Sequence, residues 1–172
     1  SFSMRTLDVV RNLSKKEAEC FLKVLPCVMS TDKDCFIASD ESVRATADIT
    51  FNDILLLNDC GLLCADGTMY MNFTAAKNDS ATIYNDNYAI HITRDEEKTY
   101  EGMIGLYKLK VAAQEIYPLL KTQTNEDYVI SWAKSIYTRN SYKCCVSVYK
   151  VTGINGGLPK FESVPLKSWV EQ

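Results

Sequence analysis

TFNDILLLNDCGLLCADGTMYMNF, residues 50–73, decides the fold. Thr50 and Asp53 stand at capping-box spacing, so hydroxyl and carboxylate can each satisfy an orphan N–H where a helix starts. Asp53 also sits favourably at the positive helix end. Phe51, Ile54, Leu55 and Leu57 supply the apolar positions, although the unbroken run Ile54–Leu57 blurs the helical period. Gly61 stands where a left-handed residue stops the helix, a conformation glycine takes without steric cost. Leu62 then packs back on Leu57 as in a Schellman ending. Asp66-Gly67 predicts a type I′ hairpin turn, and Met69, Met71 and Phe73 alternate along a return strand. Helix, stop, strand, turn and strand are the parts of a winged helix.

A winged helix that binds DNA places the helix before the wing in the major groove and contacts phosphates through Lys or Arg. The polar positions of this helix are Asn52, Asp53, Asn58 and Asp59, and the turn carries Asp66. No cation lies between Arg44 and Lys77. Carboxylates facing phosphates oppose binding, so the stretch reads as a scaffold for packing or protein contact.

The wider composition agrees. A chain of 172 residues, 47% hydrophobic and 24% charged, is an ordinary globular sequence for one domain or two small ones. A net charge of −3 without a basic block argues against nucleic acid and anionic membrane as general partners. No apolar run approaches the roughly 20 residues that span a bilayer. SFSMRTLDVV lacks the layout of a signal peptide. The seven cysteines are odd in number and contain no C-x-x-C pair, which suits reduced thiols in a cytoplasmic protein.

Outside the central stretch, Met4–Arg11 reads as a short helix ended by Asn12. Ser14-Lys-Lys-Glu17 is a full capping box ahead of the stripe Ala18, Phe21, Leu22, Leu25 and Val28. Pro26 cannot donate to Leu22 and should weaken that helix near Leu25. Cys35–Ala38 could be a short strand, and Glu41–Ala47 a helical turn or two, or loop. Thr74–Ser80 is polar and turn-like, a boundary between subdomains. Ala81–Tyr84 and Tyr88–Thr93 form a hairpin around Asn85-Asp86-Asn87, with His91 facing away from Ile90 and Ile92. Met103–Tyr107 is a strand. Leu109–Leu120 is a helix weakened by Pro118. Thr124 caps a helix with the stripe Val129, Trp132, Ala133 and Ile136, stopped by Asn140. Tyr142–Val151 alternates as a strand, Gly153–Gly157 is a loose turn, and Lys160–Leu166 returns as an edge strand flanked by prolines.

The opening, SFSMRTLDVVRNLSKKEAECF, resembles a family pattern, S-F-S-x-R-T-L followed by L-S-x-x-E-A-x-x-F. The family is domain-of-unknown-function family 2806, of bacterial proteins. FNDILLLNDCGLL resembles its next block, and Leu109–Leu119 a third of the form L-T-x-A-G-x-E-L. This chain departs there, with Lys110 for Thr and Ala113 for Gly, so the usual helix cap is missing. The resemblance implies a C-terminal fragment of a bacterial, intracellular protein whose N-terminal part lies outside this chain. It carries over no catalytic residues.

Candidate chemistry is thin. His91 is the sole histidine, so any Cys-His nucleophile pair must use it, yet it lies mid-strand and no cysteine has a nucleophile motif. Asp95, Glu96 and Glu97 are adjacent in a turn and splay apart rather than converge on a metal. Gly153, Gly156 and Gly157 lack phosphate-loop spacing. Cys144 and Cys145 point to opposite faces of a strand and are poor partners for one metal. Ten tyrosines, among them Tyr84, Tyr88, Tyr100 and Tyr107, suit either core packing or a protein interface.

The expectation is therefore an α+β fold. Residues 1–75 form a helical, winged-helix-like half, packed on a mixed half, residues 76–172, of antiparallel strands and two helices. No catalytic, cofactor or metal residue is assigned. The function expected is a non-catalytic interaction or regulatory module. Its partners are a protein, a second copy or the N-terminal part of the same protein, rather than nucleic acid or membrane. The alternatives are nucleic-acid binding by the winged-helix-like half and, behind it, a Cys/His enzyme.

Overall fold

Capping and stop signals set the helices of the computed structural model, which describes residues 2–120 and 122–172. Helix α1 (Met4–Asn12) is capped by Ser3, and α2 (Lys15–Val24) by the complete Ser14–Glu17 box. Pro26 ends α2 as expected, in a single tight turn over Leu25–Cys27. Helix α4 (Phe51–Asp59) carries the Thr50–Asp53 box, and Lys23 Nζ reaches the Asp53 carboxylate at 2.6 Å. Gly61, at φ +84°, ends α4 with both Schellman bonds, Leu62 N–H to Leu57 O at 3.0 Å and Gly61 N–H to Asn58 O at 3.2 Å. Asp40 caps the short α3 (Glu41–Ala45). Helix α5 (Val111–Ile116) begins at Lys110 without a side-chain cap. Asn125, not Thr124, caps α6 (Glu126–Arg139); the Thr124 hydroxyl bonds to Asn87 instead, at 2.7 Å.

The strands are β1 (Met29–Ser30), β2 (Cys35–Ala38), β3 (Leu63–Ala75), β4 (Ala81–Tyr84), β5 (Tyr88–Thr93), β6 (Tyr100–Leu109), β7 (Cys145–Asn155), β8 (Leu158–Phe161) and β9 (Lys167–Trp169). They make one antiparallel sheet in the order β3-β6-β2-β1-β4-β5-β7, and β9 and β8 follow one another along the outer side of β7. The hairpin β4–β5 and the strand β2 fall where the sequence places them. The last strand does not: of Lys160–Leu166 only Lys160 and Phe161 pair, in β8, which starts earlier, and residues 162–166 are irregular ahead of a separate β9.

The wing is not formed. β3 runs unbroken through Asp66-Gly67, and both its ends pair with β6, Leu63 opposite Leu109 and Phe73 opposite Gly102. Between Cys64 and Met69 the strand takes five steps while β6 takes two, from Lys108 to Leu106. The turn chemistry is thus spent as a wide bulge. Gly67 is not among the glycines of positive φ. The Asn58 side chain holds the bulge, accepting from Ala65 N–H at 2.9 Å and donating to Asp66 Oδ1 at 3.0 Å. The tight glycine turn lies elsewhere. Gly156 and Gly157, at φ +62° and +77°, join β7 directly to β8, where a loose turn was expected.

The boundary expected near residue 75 coincides with the end of β3, whose partner β6 lies beyond it. One buried cluster draws on both sides of that point, from Ile54 and Leu57 to Trp132, Val146 and Val148. Helix α6 packs on β5, β7 and β9 through its predicted stripe, and Trp132 meets Phe36 of β2 edge-on at 6.0 Å between centroids.

Candidate functional site

β6 outruns its neighbour. β2 pairs with it only from Ala38 opposite Leu106 to Phe36 opposite Lys108. Ser39 N–H still bonds to Gly105 O at 3.3 Å, and below that point the strand edge is open. Asn140, just past α6, fills the place of the missing strand. Its amide oxygen accepts from Met103 N–H at 3.1 Å and from the Tyr100 hydroxyl at 3.2 Å. Its amide nitrogen donates to Met103 O at 3.0 Å and to Ile136 O at 2.8 Å. One side chain thereby acts as the facing peptide of a neighbouring strand.

Glycines let the elements approach this closely. A Cβ on Gly102 would stand 2.6 Å from Asn140 Oδ1 and 2.2 Å from Phe73 Cζ, and one on Gly105 would stand 2.6 Å from Ser39 Oγ. Above Asn140 a cavity of about 440 Å³ opens between β6, the start of α3 and the last turns of α6, lined among others by Asp40, Tyr70, Trp132 and Arg139.

Asp40 is the ionic centre of this groove. Its Oδ2 accepts from Arg139 Nε at 2.5 Å and Ser135 Oγ at 2.6 Å, and its Oδ1 from Ser42 N–H and Oγ. Burial alone would raise the Asp40 carboxyl; the hydrogen bonds from Arg139, Ser135 and Ser42 more than reverse this and hold it well below the usual carboxylate range. A carboxylate so held is a poor proton acceptor. Because the folded state depresses this group, its stabilising effect is full above the ordinary Asp value near 4 and is lost as pH falls towards the lower folded value. Asp40→Asn is expected to lower stability at neutral pH and to flatten the fall in stability between about pH 5 and 2, read as urea midpoints at each pH. An acid limb identical to the wild type would refute the assignment.

Of the residues singled out in sequence as candidate chemistry, Tyr100 reaches this groove, whereas His91 and the cysteines do not. His91 Nδ1 and the Thr82 hydroxyl lie 2.8 Å apart, and the ring stands against Tyr149 and Phe161 on the sheet. Burial lowers its proton affinity. All seven cysteines are free. Burial pushes the Cys27 thiol to about 12 and the Cys144 thiol to about 11, so both stay protonated. Cys145 Sγ lies 3.7 Å from Asp95 Oδ2 and receives Glu171 N–H. Among the described residues no three His, Cys, Asp or Glu side chains converge as a metal site. The exposed positions of α4 are Phe51, Asn52, Leu55 and Asp59, none of them cationic. Local sequence rules read Asn140 as a helix stop. Its second role had one sequence signal, the spaced glycines of Glu101-Gly102-Met103-Ile104-Gly105 inside a strand.

Fold and groove define an α+β protein with a continuous antiparallel sheet and a polar cleft at one strand edge. The chain belongs to the family described as protein of unknown function (DUF2806), which matches residues 1–132. The match ends within α6 at Trp132, so Ser135, Arg139 and Asn140 lie past it. No curated protein and no solved structure matches the chain. Among the described residues no helix is long and apolar enough to cross a membrane.

Proposed function

We propose that this chain is a non-catalytic protein-interaction module of a larger protein, and that the groove between β6 and α6 receives an anchor side chain from its partner. The observation that carries this reading is the locking of the groove's polar groups onto one another. Asp40 is committed to Arg139, Ser135 and Ser42, and Asn140 to Met103, Tyr100 and Ile136. Such groups shape a surface; they do not supply a free base or nucleophile. Tyr70 and Met103, 59% and 56% exposed, flank the opening as apolar and aromatic contact area.

Charge decides which anchor fits. The lining holds three carboxylates, Asp40, Glu41 and Glu101, against the one guanidinium of Arg139, a net of −2. With aromatic faces beside it, the opening favours Lys or Arg. Selection of random displayed peptides on the folded chain should enrich basic sequences, and Glu101→Lys should weaken the best of them about tenfold or more. Enrichment of acidic sequences, or binding indifferent to Glu101→Lys, would overturn the reading.

A further inference from the structure

A second cleft, of about 610 Å³, is lined by four consecutive residues of one strand, Met71–Thr74 of β3, and five on or beside another, Ser80–Tyr84 at β4. Neighbouring residues of a strand point to opposite faces. A cavity lined by several in a row therefore looks onto strand edges, not onto a sheet face. The topology agrees. Among the described residues β3 ends the sheet, with β6 as its strand partner, and β4 pairs with β5 along its length but with β1 only at Tyr84 opposite Ser30. The two edges part from a tight turn, Ala76 bonded to Asp79 in both directions, so the gap is a wedge within the sheet itself.

The free backbone groups can be assigned. Gly105 O is taken by Ser39 N–H, so alternate residues of β6, 105, 103 and 101, turn their polar groups away from β3. Their register partners Tyr70, Asn72 and Thr74 then turn theirs away from β6. Asn72 and Thr74 present N–H and C=O to the wedge. Most sheet edges are guarded by Lys, Pro or a bulge. β3 has its bulge between Cys64 and Met69, but Met69–Ala75 carries no charge and no proline. Met71, Phe73, Ile83 and Phe161 give the wedge apolar walls, and Asp32 and Asp79 are the charged residues of its lining.

We infer that the wedge between β3 and β4 takes an extended segment of a partner protein as an added strand, one with alternating apolar residues flanked by Lys or Arg. Backbone bonds to Asn72 and Thr74 supply the pairing, alternate side chains meet the apolar walls, and the flanking cations meet Asp32 and Asp79. This names a second surface for the interaction module proposed above and does not depend on the β6–α6 groove.

The test is fluorescence anisotropy of a labelled, end-blocked Lys-Val-Ser-Val-Thr-Val-Lys peptide on the 172-residue chain. Saturable binding at about 100 μM or tighter is expected, weakened about tenfold or more by Asn72→Pro. That N–H faces the open edge, where proline costs no ladder bond, and circular dichroism confirms that the variant folds. If Asn72→Pro unfolds, the paired Asp32→Lys and Asp79→Lys changes replace it, with the same expected loss. Glu-flanked peptide should not bind. No binding of the Lys-flanked peptide, equal binding of the Glu-flanked one, or full binding by a folded edge variant overturns the inference. A peptide-free dimer that Asn72→Pro makes monomeric also overturns it, since the occupant is then a second copy.

Discussion

Trp132→Ala is expected to cost about 4 kcal/mol of folding stability, within the range for removing a large aromatic from a packed core. Trp132 is 1% exposed and stands where three rings meet, 6.0 Å from the Phe36 centroid and 5.8 Å from that of Tyr128. Phe36 belongs to β2 and Tyr128 to α6, so the indole joins the helix to the middle of the sheet. Its neighbours cannot close the space. The Tyr128 hydroxyl is fixed by Ala38 N–H at 2.7 Å, and β2 is held between β1 and β6. A domain of this size has about 5–15 kcal/mol in total, so the variant should remain folded at low temperature with a much reduced urea midpoint. Trp132→Phe keeps most of the volume and should lose about half as much. A loss below about 1 kcal/mol for the alanine variant would mean that α6 is not anchored here.

How much of this was legible in the sequence follows the range of the forces involved. The Thr50–Asp53 and Ser14–Glu17 boxes, the Gly61 stop and the α6 stripe are settled within a few residues, and each forms as read. Asp66-Gly67 is also a local signal, but a hairpin there would leave β6 without a partner along most of its length. Continuous pairing of β3 with β6 satisfies both strands, and Asn58 stabilises the bulge it requires. The competing partner lies more than thirty residues downstream, out of reach of any turn rule. Gly156-Gly157 shows the converse, since there both flanking segments are free to pair with each other and the turn forms. The groove was less legible still. Asp40 and Arg139 lie on separate elements, and their 2.5 Å contact depends on where α6 crosses the sheet.

Asn140→Asp tests that crossing with a change of almost no volume. The introduced carboxyl keeps an acceptor for Met103 N–H and the Tyr100 hydroxyl. Its second oxygen replaces the amide donor and confronts the carbonyls of Met103 and Ile136, at 3.0 and 2.8 Å in the wild type. Asn140 is 5% exposed, so water does little to relieve the opposition. Met103 O left unsatisfied, and a charge facing both carbonyls although Ile136 O keeps the backbone N–H of residue 140 at 3.1 Å, should cost about 3 kcal/mol at neutral pH. Protonation restores one donor, and a buried carboxyl facing acceptors titrates above its unfolded value. The folded variant thus binds its proton more readily than the unfolded chain, and its deficit against wild type should shrink as pH falls below the raised folded value. Asn140→Ala, which cannot titrate, should show a deficit that varies little with pH. Gly102→Ala, whose Cβ meets both Asn140 and Phe73, should cost about 2 kcal/mol alone. Combined with Asn140→Ala it should cost less than the two added, because one of its two clashes has gone. Strict additivity, or an Asn140→Asp deficit that grows in acid, would show that the amide does not stand in for the absent strand.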